Sequence, residues 1–291
     1  MTQMGDAPAL GAGWTKVLTP RRGLLDIPWR ELWSYRDLIR LLARRNLALN
    51  YQDTLLGPVW FIVQPLFVTL VYSHLFGRMA RFGSDNIPHY LFYMSGIVLW
   101  SFFADTVNRT SRTFVENSQL FGKIYFPRLA MPISAVATNC IPLLAHLGLL
   151  VAGLVFYLIK RDPNVDPNWR IVFVPLLVLQ VALFGVGVGC LVAAATNRFR
   201  DLSVGMQIGL QLWMFGSAVV FPLSRVANPD DRWMFYLNPM VPVIESFRYA
   251  FFGVSSVEAW HIALSAAISV VVFLLGIIVF NQAEQTAVDT I

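Results

Sequence analysis

Residues 171–196 read IVFVPLLVLQVALFGVGVGCLVAAAT and contain no charged side chain. A helix needs about 20 mainly apolar residues to cross the hydrocarbon core of a bilayer, and this stretch meets that length. Comparable apolar runs recur between residues 55 and 280. Hydrophobic residues make up 56% of the chain and charged residues only 13%, against roughly 25% charged in a soluble domain. The sequence therefore predicts an all-α integral membrane protein, because helices satisfy their own backbone hydrogen bonds in lipid.

The apolar runs predict six transmembrane helices. Their ranges are 55–76, 90–110, 129–159, 171–196, 202–222 and 262–280. The longest connection, 223–261, has apolar residues at helical spacing, prolines at its start and Gly253 after them, which predicts short re-entrant gate helices on the outer side. The predicted domains are a polar N-terminal extension (1–34), an amphipathic helix (35–50), the six-span domain (51–282) and a polar cytoplasmic tail (283–291).

The basic residues predict the orientation of these spans. If the N-terminus is cytoplasmic, most of the 22 lysines and arginines fall in inner segments. Arg36, Arg40 and Arg44 recur every four residues along the helix 35–50, and leucines lie on another face. This pattern suits a helix in the cytoplasmic interface, with its arginines among phosphates and its leucines in acyl chain. An ordinary basic flank that fixes orientation is an equally good and compatible interpretation. Because the charge of +5 comes mainly from residues beside spans, we expect contact with anionic lipid and not with nucleic acid.

Residues 117–132 form an inner connection with more apolar side chains than a loop requires. Phe126 stands with Lys123 and Arg128, and Pro127 closes the segment. This mixture suits a short helix on the membrane surface, or one docked against a soluble partner. The sequence contains no GxxxxGK[ST] loop for holding nucleotide phosphates. We therefore predict no catalytic residue, no metal site and no cofactor on this chain, and we read its two cysteines as free.

Polar side chains within the predicted spans are costly in lipid unless they have partners. They occur on four spans: Gln64, His74, Asp105, Asn139, His146, Gln207 and Gln211. Hydrogen bonding between helices explains any single one as well as a path does. Their presence on four helices favours a water-filled path. In span four, Gly185-x-x-x-Gly189 predicts a small-residue face for close helix packing.

Aromatic residues reach 14% of the chain. Some are typical of the belts at lipid–water interfaces, but several fall in the middle of spans, where belts do not lie. Rings that face a path would give flat, weakly adhesive surfaces over which sugar rings could slide. The glycan-channel candidates on this hypothesis are Trp60, Gln64, Phe92, Trp100, Phe103, Gln207, Gln211, Trp213 and Phe221.

Three segments together carry a resemblance to a known family. The stretch Tyr51–Trp60 (YQDTLLGPVW), the inner connection 117–132 and the run from Asn238 to Tyr249 resemble the polysaccharide-export permeases of the ABC-transporter superfamily. The resemblance extends from Leu38 to the end of span six. The segment 117–132 resembles the family's cytoplasmic coupling segment, and the run from Asn238 resembles its outer gate.

The resemblance implies a homodimer in the bacterial inner membrane with two bound ATPase subunits that hold ATP and Mg, and the basic residues predict that the termini are cytoplasmic. It also implies a lipid-linked polysaccharide substrate similar to O-antigen. The implied ATPase-coupling residues are Arg36, Arg40, Asn117, Leu120, Lys123, Phe126, Pro127 and Arg128. The implied contacts to the anionic substrate head group are Arg44, Arg45, Lys123 and Arg128. The implied outer-gate residues are Glu245, Phe247, Arg248 and Tyr249.

The sequence is also compatible with two other functional classes. One is a permease of the same superfamily that exports a small hydrophobic drug or a lipid, which would have a channel poor in polar groups. The other is a membrane-embedded enzyme or scaffold, which would need no ATPase partner.

Overall fold

The structure is a computed structural model, and it describes residues 29–51, 54–80, 82–116, 126–199, 201–225, 232–254 and 257–288. Over these residues the chain is helical and has no β-strand, which confirms the predicted all-α class. The helices are α1 (Trp29–Ser34), α2 (Arg36–Tyr51), α3 (Trp60–Tyr72), α4 (His89–Ser111), α5 (Thr113–Glu116), α6 (Ala130–Ile159), α7 (Val174–Arg198), α8 (Leu202–Phe215), α9 (Arg232–Tyr236), α10 (Met240–Phe252) and α11 (Ala259–Val288). A 3-10 turn leads into α3 and another into α7, and a π-helical segment, Ser73–Met79, extends α3.

Five helical stretches are long and apolar enough to cross a membrane. They are Gly57–Met79, His89–Ser111, Ala130–Ile159, Trp169–Thr196 and Ala259–Ala283. These match five of the six predicted spans, and the last helix continues beyond the predicted span end at residue 280. The chain is therefore a multi-pass membrane protein.

The remaining predicted span, 202–222, is helical only as far as Phe215. Its 14 residues rise by roughly 21 Å at 1.5 Å per residue, which is less than the hydrocarbon thickness. The backbone beyond it is held by side chains instead of by helical hydrogen bonds: Asn238 Nδ2 donates to the carbonyl of Gly216 at 2.9 Å, and Arg248 Nη1 donates to that of Ala218 at 2.8 Å. Apolar composition alone extended the predicted helix too far.

The outer connection contains the two short helices α9 and α10, in agreement with the helical spacing of its sequence. Asn238 lies two residues before α10, and its Oδ1 accepts a hydrogen bond from the backbone N–H of Met240, the first residue of the helix, at 3.1 Å. Gly253 ends α10 with φ at +73°, a conformation that glycine adopts without strain. The start of α10 is thus fixed by a side-chain hydrogen bond and its end by a backbone conformation.

Helix α4 is the centre of the bundle and packs against α3, α6, α7 and α10. Every residue from Leu91 to Trp100 is buried. Further along, the Phe103 ring stacks on Phe184 of α7 with 5.2 Å between centroids, and Trp213 of α8 meets Phe103 edge-on at 5.3 Å. This aromatic cluster ties α4, α7 and α8 together.

Helix α7 uses glycines to approach two neighbours at once. A Cβ at Gly185 would lie 3.1 Å from Thr106 of α4, so the predicted small-residue face does pack closely on another helix. On another side, a Cβ at Gly187 would lie 2.7 Å from the backbone of Phe273 in α11. Where α7 and α11 cross, Gly276 of α11 also lies against the backbone of Gly187. Only residues without side chains allow this spacing.

Helix α2 is amphipathic as predicted. Arg36, Arg40 and Arg44 lie on its exposed side. Its opposite face packs on α6, and Leu42 is buried in protein contacts, whereas the sequence led us to expect leucines in acyl chain. The reason is that the start of α6 presents its own apolar residues to α2.

Candidate functional site

The proposed coupling residues fall into three structural groups. Asn117, Leu120 and Lys123 lie outside the described residues. Phe126 and Pro127 are buried, and Phe126 packs in the apolar cluster that contains Leu42 of α2. Of the remaining three, Arg128 is half-buried, whereas Arg36 and Arg40 are exposed.

Among the described coupling residues, the arginines of α2 are the most accessible. Arg40 Nη1 lies 3.4 Å from Asp37 Oδ1, and the guanidinium of Arg36 lies 5.9 Å from the Trp33 ring centroid. The head-group candidate Arg44 is exposed on the same side, and Arg45 is half-buried beside Asn46, with 3.5 Å between Nη2 and Oδ1. These side chains can reach a soluble partner or an anionic head group without repacking.

A cavity of about 350 Å³ lies between α3, α4, α6 and α8. We call it the inner cavity, because it adjoins the start of α3 and the end of α4, both predicted to be cytoplasmic. It is lined by Trp60, Phe61, Gln64, Pro65, Val68, Ile97, Trp100, Ser101, Ala104, Asp105, Arg109, Pro142, His146 and Met214. Its wall therefore combines two indoles with an amide, a hydroxyl, a carboxylate, a guanidinium and an imidazole.

The channel candidates divide between the inner cavity and other places. Trp60, Gln64 and Trp100 line the cavity. Phe92 and Phe103 are buried in the core, where neither borders that cavity. The other four lie on or beyond α8: Gln207 and Gln211 are exposed, Trp213 is in the aromatic cluster, and Phe221 meets Phe235 edge-on.

The sequence identifies some of the polar residues that line the inner cavity but does not place them together. Asp105 and His146 are polar residues within predicted spans, and Arg109 lies at the inner end of the predicted span 90–110. The spacing of four residues between Asp105 and Arg109 indicates one face of a helix. Asn139, in contrast, is used for helix packing, since its Nδ2 lies 3.3 Å from Thr106 Oγ1.

At the outer side, Arg248 of α10 joins three parts of the chain. Its Nη1 donates to Glu245 Oε1 at 2.9 Å, and the pair is almost fully buried. Its other acceptors are the carbonyls of Ala218, Phe92 and Val219 at 2.8, 3.3 and 3.3 Å and the hydroxyl of Ser95 at 3.3 Å. The guanidinium also lies 3.7 Å from the centroid of the Phe92 ring.

This arrangement compensates a buried charge with an unusually complete set of partners. Burial lowers the pKa of Arg248, and the neighbouring Glu245 carboxylate acts in the opposite direction. Phe247, the third gate candidate, is buried in the core, and the ring of the fourth, Tyr249, lies 4.5 Å from the Arg170 guanidinium. Arg248 thus fixes α10 to α4 and to Ala218 and Val219, whereas Tyr249 contacts Arg170 in the 3-10 turn before α7. The outer-gate role of the four residues stays a prediction.

Comparison with known proteins extends this description. Residues 37–252 match the family model described as ABC-2 type transporter. The chain is 31% identical over 265 residues to the O-antigen export system permease protein RfbA of Myxococcus xanthus, covering 90% of this chain and 98% of that protein. It is 24% identical to a protein of the same name from Klebsiella pneumoniae, over 84% of this chain and 92% of that one. The capsule polysaccharide export inner-membrane protein CtrC of Neisseria meningitidis is 26% identical, over 86% and 92% respectively.

Proposed function

We propose, since the chain belongs to the ABC-2 type transporter family, that it is the membrane-spanning permease subunit of an ATP-driven exporter of lipid-linked polysaccharide. The main structural support for a polysaccharide substrate is the lining of the inner cavity, which combines indoles with polar and charged side chains. A channel for an apolar drug or lipid would not need these groups. The names of the similar proteins, O-antigen and capsule export permeases, support the same substrate class.

In the proposed exporter, ATP is hydrolysed by a separate ATPase chain. The surface offered to two ATPase subunits comprises the connection 117–132 and the exposed arginines of α2. Phe126 would act by holding the end of that connection against α2, since it is buried in the same apolar cluster as Leu42. ATP-driven closure of the ATPase pair would then move α2 and α6 together, because these helices share one apolar cluster.

The proposed topology has six crossings with both termini in the cytoplasm. The fifth crossing in chain order consists of α8 and the irregular residues 216–222, while α9 and α10 enter the outer leaflet as gate helices. Irregular backbone at membrane depth must have its polar groups satisfied by protein. The hydrogen bonds from Asn238 and Arg248 to carbonyls of residues 216–219 meet this requirement.

We place the homodimer interface on α8 and α3. Gln207 and Gln211 stand one turn apart on a side of α8 that the single chain leaves exposed, and neither amide has a partner among the described residues. An unpartnered amide is unfavourable in lipid, so a second copy or a water-filled path is the more favourable neighbour. On α3, only Pro65 and Thr69 are buried, which leaves a second uncovered surface.

A disulfide cross-link tests this interface. With Cys140 and Cys190 replaced by alanine, a Gln207→Cys or Gln211→Cys chain is expected to give a covalent dimer on mild oxidation in membranes, since residues near a two-fold axis meet their own copies. Val271→Cys, exposed on α11, is the control and should stay monomeric on a non-reducing gel. If cysteines at 207, 211 and the exposed positions 204 and 212 all remained monomeric, this interface would be wrong.

The function itself is tested in the cells that carry the chain. Deleting it should remove the surface polysaccharide and cause lipid-linked polymer to accumulate on the cytoplasmic side, with both effects reversed by the wild-type chain. Immunoblots of intact cells and of lipid extracts measure the two pools, and a tagged chain should copurify an ATPase. Normal surface polymer in the deletion strain would contradict polysaccharide export and favour the drug or lipid alternative.

A further inference from the structure

We propose that Asp105, Arg109 and His146 form a sugar-binding subsite in the wall of the inner cavity, which recognises the hydroxyl groups of one pyranose ring of the exported polymer. The proposal rests on polysaccharide export as the function of the chain. It adds three residues that the sequence did not assign to the substrate, and it gives them a different task from the aromatic residues.

The three residues come from two helices that face the same space. Ser101, Asp105 and Arg109 are spaced four residues apart, so they lie along one side of α4. His146 faces them from α6, and Gln64 borders the cavity from α3. The volume of about 350 Å³ falls within the roughly 300–1,000 Å³ of small-molecule sites, which is room for a segment of a polymer and not for its whole length.

The polar groups around this cavity are available for a ligand. Asp105 is exposed in the single chain, Arg109 is half-buried, and the two charges interact electrostatically. No hydrogen bond or ion pair links either side chain directly to a described residue. Ser101 also lacks a partner within the described chain, whereas Ser95 and Ser134 both donate to backbone carbonyls one turn back. Since polar groups at membrane depth are costly without partners, this concentration indicates a polar occupant.

His146 supplies the most specific evidence. It is only 7% exposed, and its Nδ1 atom has no partner among the described residues. Phe61 and His146 lie in the same cavity wall. Pro65 lies four residues beyond Phe61 and has no N–H, so the Phe61 carbonyl lacks its helical donor. The histidine therefore borders an irregular point of α3 and has a ring nitrogen free to bind a ligand.

The chemistry of the wall selects the ligand class. A carboxylate accepts hydrogen bonds from hydroxyl groups, a guanidinium donates to hydroxyl and ring oxygens, and a neutral imidazole does either. Together the carboxylate and the guanidinium leave the wall without net charge, which disfavours a free phosphate. The indoles of Trp60 and Trp100 offer flat apolar faces to the C–H face of a sugar ring. A polyhydroxylated ring matches both halves of this surface, whereas an apolar drug matches only the indoles.

Calorimetric titration of the purified complex of this chain with its ATPase tests the subsite. The probe is a short oligosaccharide made by mild acid hydrolysis of the polymer from the same cells. The wild-type complex should bind it saturably. Asp105→Asn, which keeps the side-chain shape, should weaken binding roughly 10- to 100-fold, as expected for losing hydrogen bonds to a charged group. Arg109→Gln should act in the same direction.

A control variant and the thermal unfolding midpoint distinguish a lost sugar contact from a misfolded protein. Asp201→Asn, an exposed carboxylate away from the cavity, should bind like wild type, and the thermal unfolding midpoint of each complex should be unchanged. If Asp105→Asn does not fold, Arg109→Gln decides. Wild-type affinity in both folded variants would overturn the subsite and leave polysaccharide export standing. A wild-type complex that does not bind, together with normal surface polymer in the deletion strain, would remove the proposed function as well.

Discussion

An Arg248→Met chain is expected to lose about 3–5 kcal/mol of stability, because the variant leaves the buried carboxylate of Glu245 without its partner. The same change removes the donor to the carbonyls of Phe92, Ala218 and Val219, and buried acceptors left unpaired add to the cost. The thermal unfolding midpoint of the detergent-purified chain measures the loss. We expect the outer segment to detach from α4 in this variant, and export to fall with it.

Two further variants separate the effect of an unpaired buried charge on stability from the effect of lost packing. A double variant, Glu245→Gln with Arg248→Met, should recover part of the lost stability, because replacing both partners of a buried ion pair is far less harmful than removing one. Arg170→Met is the matched control: Arg170 is exposed and lies over the Tyr249 ring at 4.5 Å, which predicts a loss of only about 0.5–1 kcal/mol. Equal midpoints for Arg248→Met and Arg170→Met would refute the central role of Arg248.

A Gly276→Val chain is expected to fail in a different way, by forcing α7 and α11 apart. A Cβ at position 276 would collide with the carbonyl oxygen of Gly187, which is backbone and cannot swing aside as a flexible side chain does. Overpacking of a close contact typically costs about 1–3 kcal/mol, and more where backbone must move. Fluorescence-detected size-exclusion chromatography should show a lower yield of the folded chain and a lower unfolding midpoint.

Gly148→Ala is the control for this variant, since a Cβ at that exposed position in α6 meets nothing within 4 Å. It should fold like wild type, because alanine also favours helix more than glycine does. A Gly276→Val chain with the yield and midpoint of Gly148→Ala would show that the two backbones do not need their close approach.

The features that follow from residue type along one helix could be predicted from the sequence. Five spans, the amphipathic α2, the helical spacing of α10 and the close packing at Gly185 all depend on local periodicity. The end of α8 could not be predicted in this way. Its hydrogen-bond acceptors are satisfied by Asn238 and Arg248, which lie far along the chain and become partners only when the outer segment folds back.

In the candidate sites too, residue types could be predicted from the sequence, but contacts between distant segments could not. The aromatic content of α4 was visible, but the burial of Phe92 and Phe103 depends on which neighbours α4 has. Asp105 and His146 stood out singly, yet nothing in the sequence says that α4 and α6 bring them to one cavity. The glycines of α7 illustrate a partial success, since Gly185 marked one close contact while Gly187 makes another with α11.

The partners of Arg248 also bear on the order in which the chain is assembled. Phe92, Ser95, Ala218, Val219 and Glu245 all precede Arg248 in the sequence, so each has been synthesised before the arginine emerges. A charged residue without partners enters an apolar environment only at high cost. Helix α10 can therefore pack only on a bundle in which α4 and residues 216–222 are already in place. Docking of the outer segment is thus a late step of membrane insertion, and it succeeds only if the earlier segments have been inserted correctly.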